Sequence, residues 1–270
     1  MELTGKALTE KRVTCRVESA VAYVTLASVE DGNALNRRML TDLRAAMLEA
    51  RESACRAIVI QSAAEAFCAG LDLAEAADAA GAPAEDFVDL AAACLRDIAE
   101  SPVPVIACVD GAAMGGGVGL AAACDIVLCS ERGSFTLSEV LLGLIPALIA
   151  PFLLRRLTSK RLCYMMLSSR QLRGAEAREW GLVDELAGEA GLDSTLNANL
   201  RRLLCSAPHA LAHCKRYVAE LEPLQFAQQT AHGANRLKEM LADGGTREAL
   251  RVFADGGAPP WFQKHRGAGQ

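Results

Sequence analysis

The chain has 270 residues, 51% of them hydrophobic, and carries a formal net charge of -5. That is enough apolar material for one large globular unit or a core with an appendage. The mild negative charge argues against nucleic acid or an anionic membrane as a partner.

Ten cysteines are scattered with no C-x-x-C pair and no histidine spacing suited to zinc, so no metal is expected. With no signal-like N-terminus they read as small buried hydrophobes of a cytoplasmic protein. The longest uncharged apolar run, residues 140–154, holds Pro146 and Pro151 and is too short to span a bilayer.

In chain order, residues 15–18 and 22–26 alternate as paired strands do. Asn33-Ala34-Leu35-Asn36 gives a polar start, after which Met39, Leu40, Leu43 and Met47 recur at helical spacing. Residues 57–60 predict a short buried strand. The segment behind it ends in Cys68-Ala69-Gly70-Leu71, and Asp72 suits the start of a helix. Residues 74–81 are small and mobile in character, and 87–98 predict an amphipathic helix.

Residues 103–109 form a continuous apolar run that reads as a buried strand. Asp110-Gly111 then lead to Met114-Gly115-Gly116-Gly117-Val118-Gly119, with residues 120–124 as the following helix and 125–128 as another strand. Beyond Pro151, residues 161–167, 175–180, 192–205, 210–221, 225–241 and 247–254 read as helices. The alternation predicts an α/β core with mostly parallel pairing over residues 1–190, and a helical region over 191–270 that caps it or mediates oligomerisation.

Two loops thus end buried strands with small residues, one at Cys68-Ala69-Gly70-Leu71 and one at Met114-Gly115-Gly116-Gly117. Their backbone N–H groups can converge on one carbonyl oxygen as an oxyanion hole, or the loops can be tight turns chosen for packing. Glu139, among apolar neighbours, suits proton transfer, or alternatively stabilises the first turn of a helix starting near Ser138. Gly117-x-Gly119-x-x-Ala122 matches a dinucleotide fingerprint, but lies mid-chain and apart from its strand, so the match is read as accidental. His209, His213, His232 and His265 lie in the helical tail or beyond it without a nucleophile elbow, and Cys68 reads as core filler.

Several motifs together resemble the crotonase (enoyl-CoA hydratase/isomerase) superfamily. They are Phe67-Cys68-Ala69-Gly70-Leu71-Asp72-Leu73, the loop from Asp110-Gly111 to Gly117, Ala123-Cys124-Asp125-Ile126, and Ser138-Glu139-Val140 on to Pro146. The resemblance covers about residues 12–186 strongly and the tail loosely. It implies a spiral of ββα units with a C-terminal helical trimerisation region, assembled as trimers or hexamers. It also implies thioester substrates whose enolate is held by the N–H groups of Leu71 and Gly116. Ala69, Gly70, Asp72, Gly115, Gly117 and Gly119 would surround the substrate, and no cofactor is implied beyond its phosphopantetheine or coenzyme A arm.

Family hydratases use two glutamates. Glu139 matches the second, and the first falls at Gly119, where there is no carboxylate. One acid can still remove an α-proton and protonate a departing β-hydroxyl on the same face, a syn elimination. Basic residues that would hold the nucleotide of coenzyme A are replaced by Val29-Glu30-Asp31-Gly32 and Ala254-Asp255-Gly256-Gly257, so the thioester is expected on an acyl carrier protein.

The stretch Gly115 to Leu120, together with Leu137-Ser138-Glu139 and Pro151 to Arg156, looks like the dehydratase of polyketide β-branching cassettes. That enzyme converts a carrier-bound 3-hydroxy-3-methylglutaryl thioester to 3-methylglutaconyl thioester for a partner decarboxylase. Arg155, Arg156, Lys160 and Arg161 offer a docking cluster for an acidic carrier, or else a solvated helix face. Competing readings are an enoyl-CoA hydratase or Δ3-Δ2-enoyl isomerase acting on free coenzyme A thioesters, and a non-catalytic binding protein.

Overall fold

Alternating residues at the start of the described chain build a hairpin. Strand β1 (Val13–Glu18) pairs antiparallel with β2 (Val21–Leu26), and Ser19 and Ala20 turn the corner at φ +50° and +65°. The computed structural model describes residues 11–78 and 82–263, so the end of the small-residue stretch 74–81 and His265 lie outside the described residues.

From β2 onward the main sheet is parallel. Its order is β1-β2-β3-β4-β6-β9, with β3 (Ala57–Ser62), β4 (Val105–Val109), β6 (Ile126–Cys129) and β9 (Glu185–Leu186). Parallel neighbours need crossovers. Helix α1 (Arg37–Glu52) supplies the first, and α2 (Leu73–Asp78) with α3 (Ala82–Ala99) the second. The side chain of Asn36 caps α1 by accepting from the Met39 N–H at 2.9 Å. Met39, Leu40, Leu43 and Met47 then bury one face, as their spacing predicts, and Ala46 and Ala50 are buried with them.

The third crossover departs from expectation. Between β4 and the glycines runs a short strand, β5 (Ala112–Met114), in a second sheet ordered β5-β7-β8 with β7 (Ser134–Thr136) and β8 (Leu172–Arg173). Helix α4 opens at Gly116, not at Leu120, and runs to Ala123. Seven of its eight residues are buried. It is apolar all round, so it shows no amphipathic stripe, and glycines lower its apparent helix propensity.

Helices α5 (Ala150–Leu154), α6 (Ser159–Ser168) and α7 (Gly174–Trp180) follow. Helix α8 spans Gly191–Leu204. The chain divides into two compact units, one ending at Ala198 and one from Asn199 on, so the division falls inside α8. The second unit also contains α9 (Pro208–Leu221), α10 (Phe226–Ala242) and α11 (Gly244–Ala254).

Six cysteines are buried, among them Cys68, Cys108 and Cys129. Cys163 and Cys214 are exposed, however, and do not fit the reading of all ten as buried hydrophobes. Among the described residues no helix is long and apolar enough to cross a membrane.

Candidate active site

The first small-residue loop is laced to the segment preceding α1. Asn33 is fully buried at φ +62°, and its side-chain amide donates to the Phe67 carbonyl at 3.1 Å and the Ser62 hydroxyl at 2.8 Å. The Leu35 N–H donates to the Gly70 carbonyl at 2.7 Å, and the Asp72 N–H donates to the Leu35 carbonyl at 3.1 Å. With residues on either side engaged toward Leu35, the Leu71 N–H points the other way and has no acceptor among the described residues. Asp72 caps α2, its Oδ1 accepting from the N–H groups of Ala74 and Glu75. Ala69 donates to the Gly32 carbonyl at 2.9 Å.

The second loop is braced against the first. The Met114 N–H donates to the Cys68 carbonyl and the Gly115 N–H to the Thr136 carbonyl, both at 2.9 Å. Gly115, at φ +45°, sits just before α4 in a backbone conformation that favours glycine. Gly116 is the first residue of α4, so its N–H has no intrahelical acceptor, and none is found elsewhere among the described residues.

The two free amides are neighbours. A β-carbon added to Gly116 would stand 3.8 Å from the Leu71 nitrogen, and one added to Gly70 would stand 3.4 Å from the Gly116 nitrogen. Two unengaged amides side by side can share an anionic oxygen.

A 3₁₀ turn, Glu139–Leu142, brings the acid to the same place. A β-carbon on Gly115 would lie 3.0 Å from Glu139 Oε1 and 3.9 Å from Oε2, so glycine is what admits the carboxyl so near. Oε2 is buried without a hydrogen-bond partner among the described residues. Burial pushes the Glu139 pKa above the ordinary carboxylate value, opposed by a hydrogen bond from its own backbone N–H. The same residue opens a short helical turn just after Ser138, the place its alternative sequence reading gave it.

The remaining glycines have another duty. Gly117 and Gly119 are buried. A β-carbon on Gly117 would fall 2.4 Å from the Cys68 carbonyl oxygen, and one on Gly119 would fall 2.1 Å from Ile149 Cγ2. They allow close packing of loop and helix. The sequence marks Asn33 only as part of the polar start Asn33-Ala34-Leu35-Asn36 and does not reveal its tie to the first loop, and nothing local marks Ile149.

The basic cluster does not survive as a unit. Arg156 is only 9% exposed and donates to the carbonyls of Ala122, Leu182, Cys124 and Asp125 and to Asp184 Oδ2. It ties the end of α4 to the β9 approach and is not available for docking. Arg161 donates to the carbonyls of Glu179 and Trp180. Arg155 and Lys160 are exposed. The expected repulsion of a nucleotide phosphate is likewise reduced, because Asp31 pairs with Arg12.

Cys68 donates its thiol to the Asn33 carbonyl at 3.1 Å, and burial pushes its pKa up to about 12, the opposite of an activated nucleophile. His209 packs edge-on to Trp261, and His232 pairs with Glu220. Among the described residues no group of three or more His, Cys, Asp or Glu is placed to hold a metal.

A family model described as enoyl-CoA hydratase/isomerase matches residues 16–264. The chain belongs to the enoyl-CoA hydratase/isomerase family. It is 28% identical to bacillaene synthase dehydratase PksH of Bacillus subtilis over 261 residues, covering 94% of this chain and 98% of that one. It is 31% identical to a carnitinyl-CoA dehydratase of Salmonella typhi, covering 76% of this chain and 80% of that one. The crystal structure of an enoyl-CoA hydratase/isomerase from Marinobacter aquaeolei superposes with a TM-score of 0.85 at 26% identity, covering 93% of this chain and 99% of that one. The fold is thus that of the crotonases, and the protein is an enzyme of the lyase class.

Proposed function

We propose that this family member is a dehydratase that removes water by syn elimination from a 3-hydroxy-3-methylglutaryl thioester, carried on an acyl carrier protein in polyketide β-branching. The Glu139 carboxylate takes the α-proton, and the electron pair of that C–H bond passes to the thioester oxygen between the N–H groups of Leu71 and Gly116. The carbonyl then re-forms as the Cα–Cβ double bond closes. The β-hydroxyl departs with the proton Glu139 has gained, leaving water, 3-methylglutaconyl thioester and the carboxylate restored. Each amide donor is worth roughly 2.7–4 kcal/mol of barrier, and the positioned acid about 10²–10⁴ in rate.

The observation that carries this reading is a single unpartnered carboxyl beside two unengaged amides, with no second acid at Gly119. Near-full-length similarity to a bacillaene synthase dehydratase supports the carrier-bound substrate. In this setting the protein works in the cytoplasm as a homotrimer or hexamer, receives an acidic carrier protein, and hands its product to a decarboxylase.

Glu139→Gln tests the chemistry. With 3-hydroxy-3-methylglutaryl-carrier protein, intact-protein mass spectrometry is expected to show water loss for the parent enzyme and none for the variant on the same time scale. Near-normal turnover by the variant would remove Glu139 from the mechanism. A Δ3-Δ2-enoyl isomerase acting on free coenzyme A also needs one shuttling acid, and the lone carboxyl favours it equally. Strong preference for free coenzyme A thioesters over carrier-bound ones would decide for that second reading.

A further inference from the structure

Leu35 stands two residues ahead of α1 and touches both of the loops whose amides are free. Its backbone brackets Leu71: the Leu35 N–H donates to the Gly70 carbonyl at 2.7 Å, and its carbonyl accepts from the Asp72 N–H at 3.1 Å. Leu35 and Leu71 thus form an isolated parallel bridge, which turns the Leu71 N–H away from Leu35. The side chain reaches the second loop. Leu35 Cδ1 lies 2.9 Å from where a β-carbon of Gly116 would be, and the same point is 3.8 Å from the Leu71 nitrogen. Leu35 is only 7% exposed, and its neighbour Asn36 anchors the chain there by capping α1.

We propose that Leu35 is a positioning residue for the dehydration, the spacer that sets the distance between the Leu71 and Gly116 amides. This inference rests on the reading in which those two amides hold the thioester oxygen. Leu35 itself gives that oxygen nothing, because both of its polar backbone groups are engaged. Its action is geometric. Each donor must stand roughly 2.7–3.1 Å from the developing oxyanion, and a displacement of about 1 Å can cost 10²-fold in rate. Main-chain bonds fix where Leu71 sits, and the leucine tip sets how closely the start of α4 approaches it. Shortening the side chain leaves a void that its neighbours fill only in part. Both loops then keep their backbone bonds while the two amides lose their common focus.

Leu35→Ala keeps the backbone bracket and removes the tip. With 3-hydroxy-3-methylglutaryl-carrier protein it is expected to lower kcat and kcat/KM together by about ten- to hundred-fold. Leu35→Met, similar in volume, is expected to restore most of that loss. Leu43→Ala controls for lost packing, since Leu43 is fully buried on α1 and away from both loops. Both alanine variants are expected to lose roughly 4–20 °C in Tm, but only Leu35→Ala to lose kcat, read well below either melt. Should Leu35→Ala fail to fold, Leu35→Val shortens the same side chain with less lost volume and carries the comparison. A kcat no lower than that of Leu43→Ala, or no recovery in Leu35→Met, would overturn the proposal.

A vibrational measurement reads the amides themselves. In Glu139→Gln, the stretch of an isotopically labelled thioester carbonyl is expected to drop in frequency on binding, as two donors weaken the C=O bond. Adding Leu35→Ala is expected to move the band back toward its unbound position, and adding Leu43→Ala to leave it in place. A band that Leu35→Ala does not move, beside normal turnover by the parent enzyme, defeats this inference and leaves the dehydratase reading standing. No turnover by the parent defeats that reading. A band that does not shift on binding removes the paired amides, and with them the role given to Leu35.

Discussion

Leu71 and Gly116 ride on segments that are bonded to neighbours on both sides and packed on Cys68 and Leu35, both buried. Glu139 rides on a four-residue 3₁₀ turn in which no residue is buried. The apolar residues on and after that turn, Leu141, Leu142, Leu144 and Ile145, are 50–73% exposed. The turn is held mainly by its own short-range bonds, such as the Leu144 N–H to the Glu139 carbonyl at 3.0 Å. The two free amides are thus fixed by the core itself, as electrostatic preorganisation would demand of the proposed oxyanion donors, while the carboxyl sits on a lightly packed edge. Damage to the first region is expected to cost fold and rate together, and damage to the second mostly rate.

The largest effect expected comes from deleting one donor with its scaffold spared. Proline suits the first position of a helix, so Gly116→Pro removes the N–H at a place where α4 tolerates it. The nearest atom a new β-carbon would meet is the flexible tip of Leu35, at 2.9 Å. A loss of about 10²–10³ in kcat with little change in Tm is expected, read from carrier-bound turnover and a thermal melt. A loss below tenfold would break the claim that this amide grips the oxygen.

Next in size is a pair that sets the two regions against each other. Gly117→Ala drives a methyl against the Cys68 carbonyl oxygen and β-carbon, at 2.4 and 2.8 Å. Such overpacking costs about 1–3 kcal/mol, or roughly 2–12 °C in Tm. Leu141→Ser, at a residue 73% exposed, is expected to stay within about 0.5 kcal/mol of the parent. If both variants melted alike, the contrast in packing would be wrong.

That contrast also explains what could be read from the chain beforehand. The helix on Met39, Leu43 and Met47 and the strand at Val105–Val109 were legible because one-sided or continuous burial leaves a period or an apolar run. Helix α4 was placed four residues late, because a helix buried all round and opened by glycines has neither stripe nor propensity. Leu71 and Gly116 were singled out only through combined motifs, since a free amide leaves no trace in residue type, whereas Glu139 stood out by its apolar neighbours. Arg156 was misplaced on a docking surface for a related reason: a run of basic residues does not reveal which member turns inward to four carbonyls. Nothing local marks Ile149, which only the fold brings to Gly119.

A smaller change probes the edge itself. Gly143 ends the 3₁₀ turn at φ +75° with nothing within 4 Å of an added β-carbon, so Gly143→Ala meets backbone strain without a clash. A cost of about 1–2 kcal/mol is expected. Because the same turn carries Glu139, kcat is expected to fall more than the melt alone implies. Unchanged kcat beside a lowered Tm would show that the acid's position does not depend on this turn.

The smallest effect is the one that separates catalytic design from stability. Burial raises the Glu139 pKa in the folded chain above its unfolded value. Below the unfolded value both states hold the proton and the group contributes nothing. As pH climbs from there toward the raised folded value, the unfolded chain gives up the proton first, and stability falls across that window. Glu139→Gln has no proton to lose, so its Tm is expected to match the parent at acid pH and exceed it slightly at neutral pH. The parent's kcat/KM is expected to rise with pH along an acid limb set above the ordinary carboxylate value near 4.3. A variant less stable than the parent at neutral pH would mean that the edge holds its carboxylate as firmly as the core holds its amides, and the difference drawn between the two regions would then be one of packing alone, not of strain accepted for function.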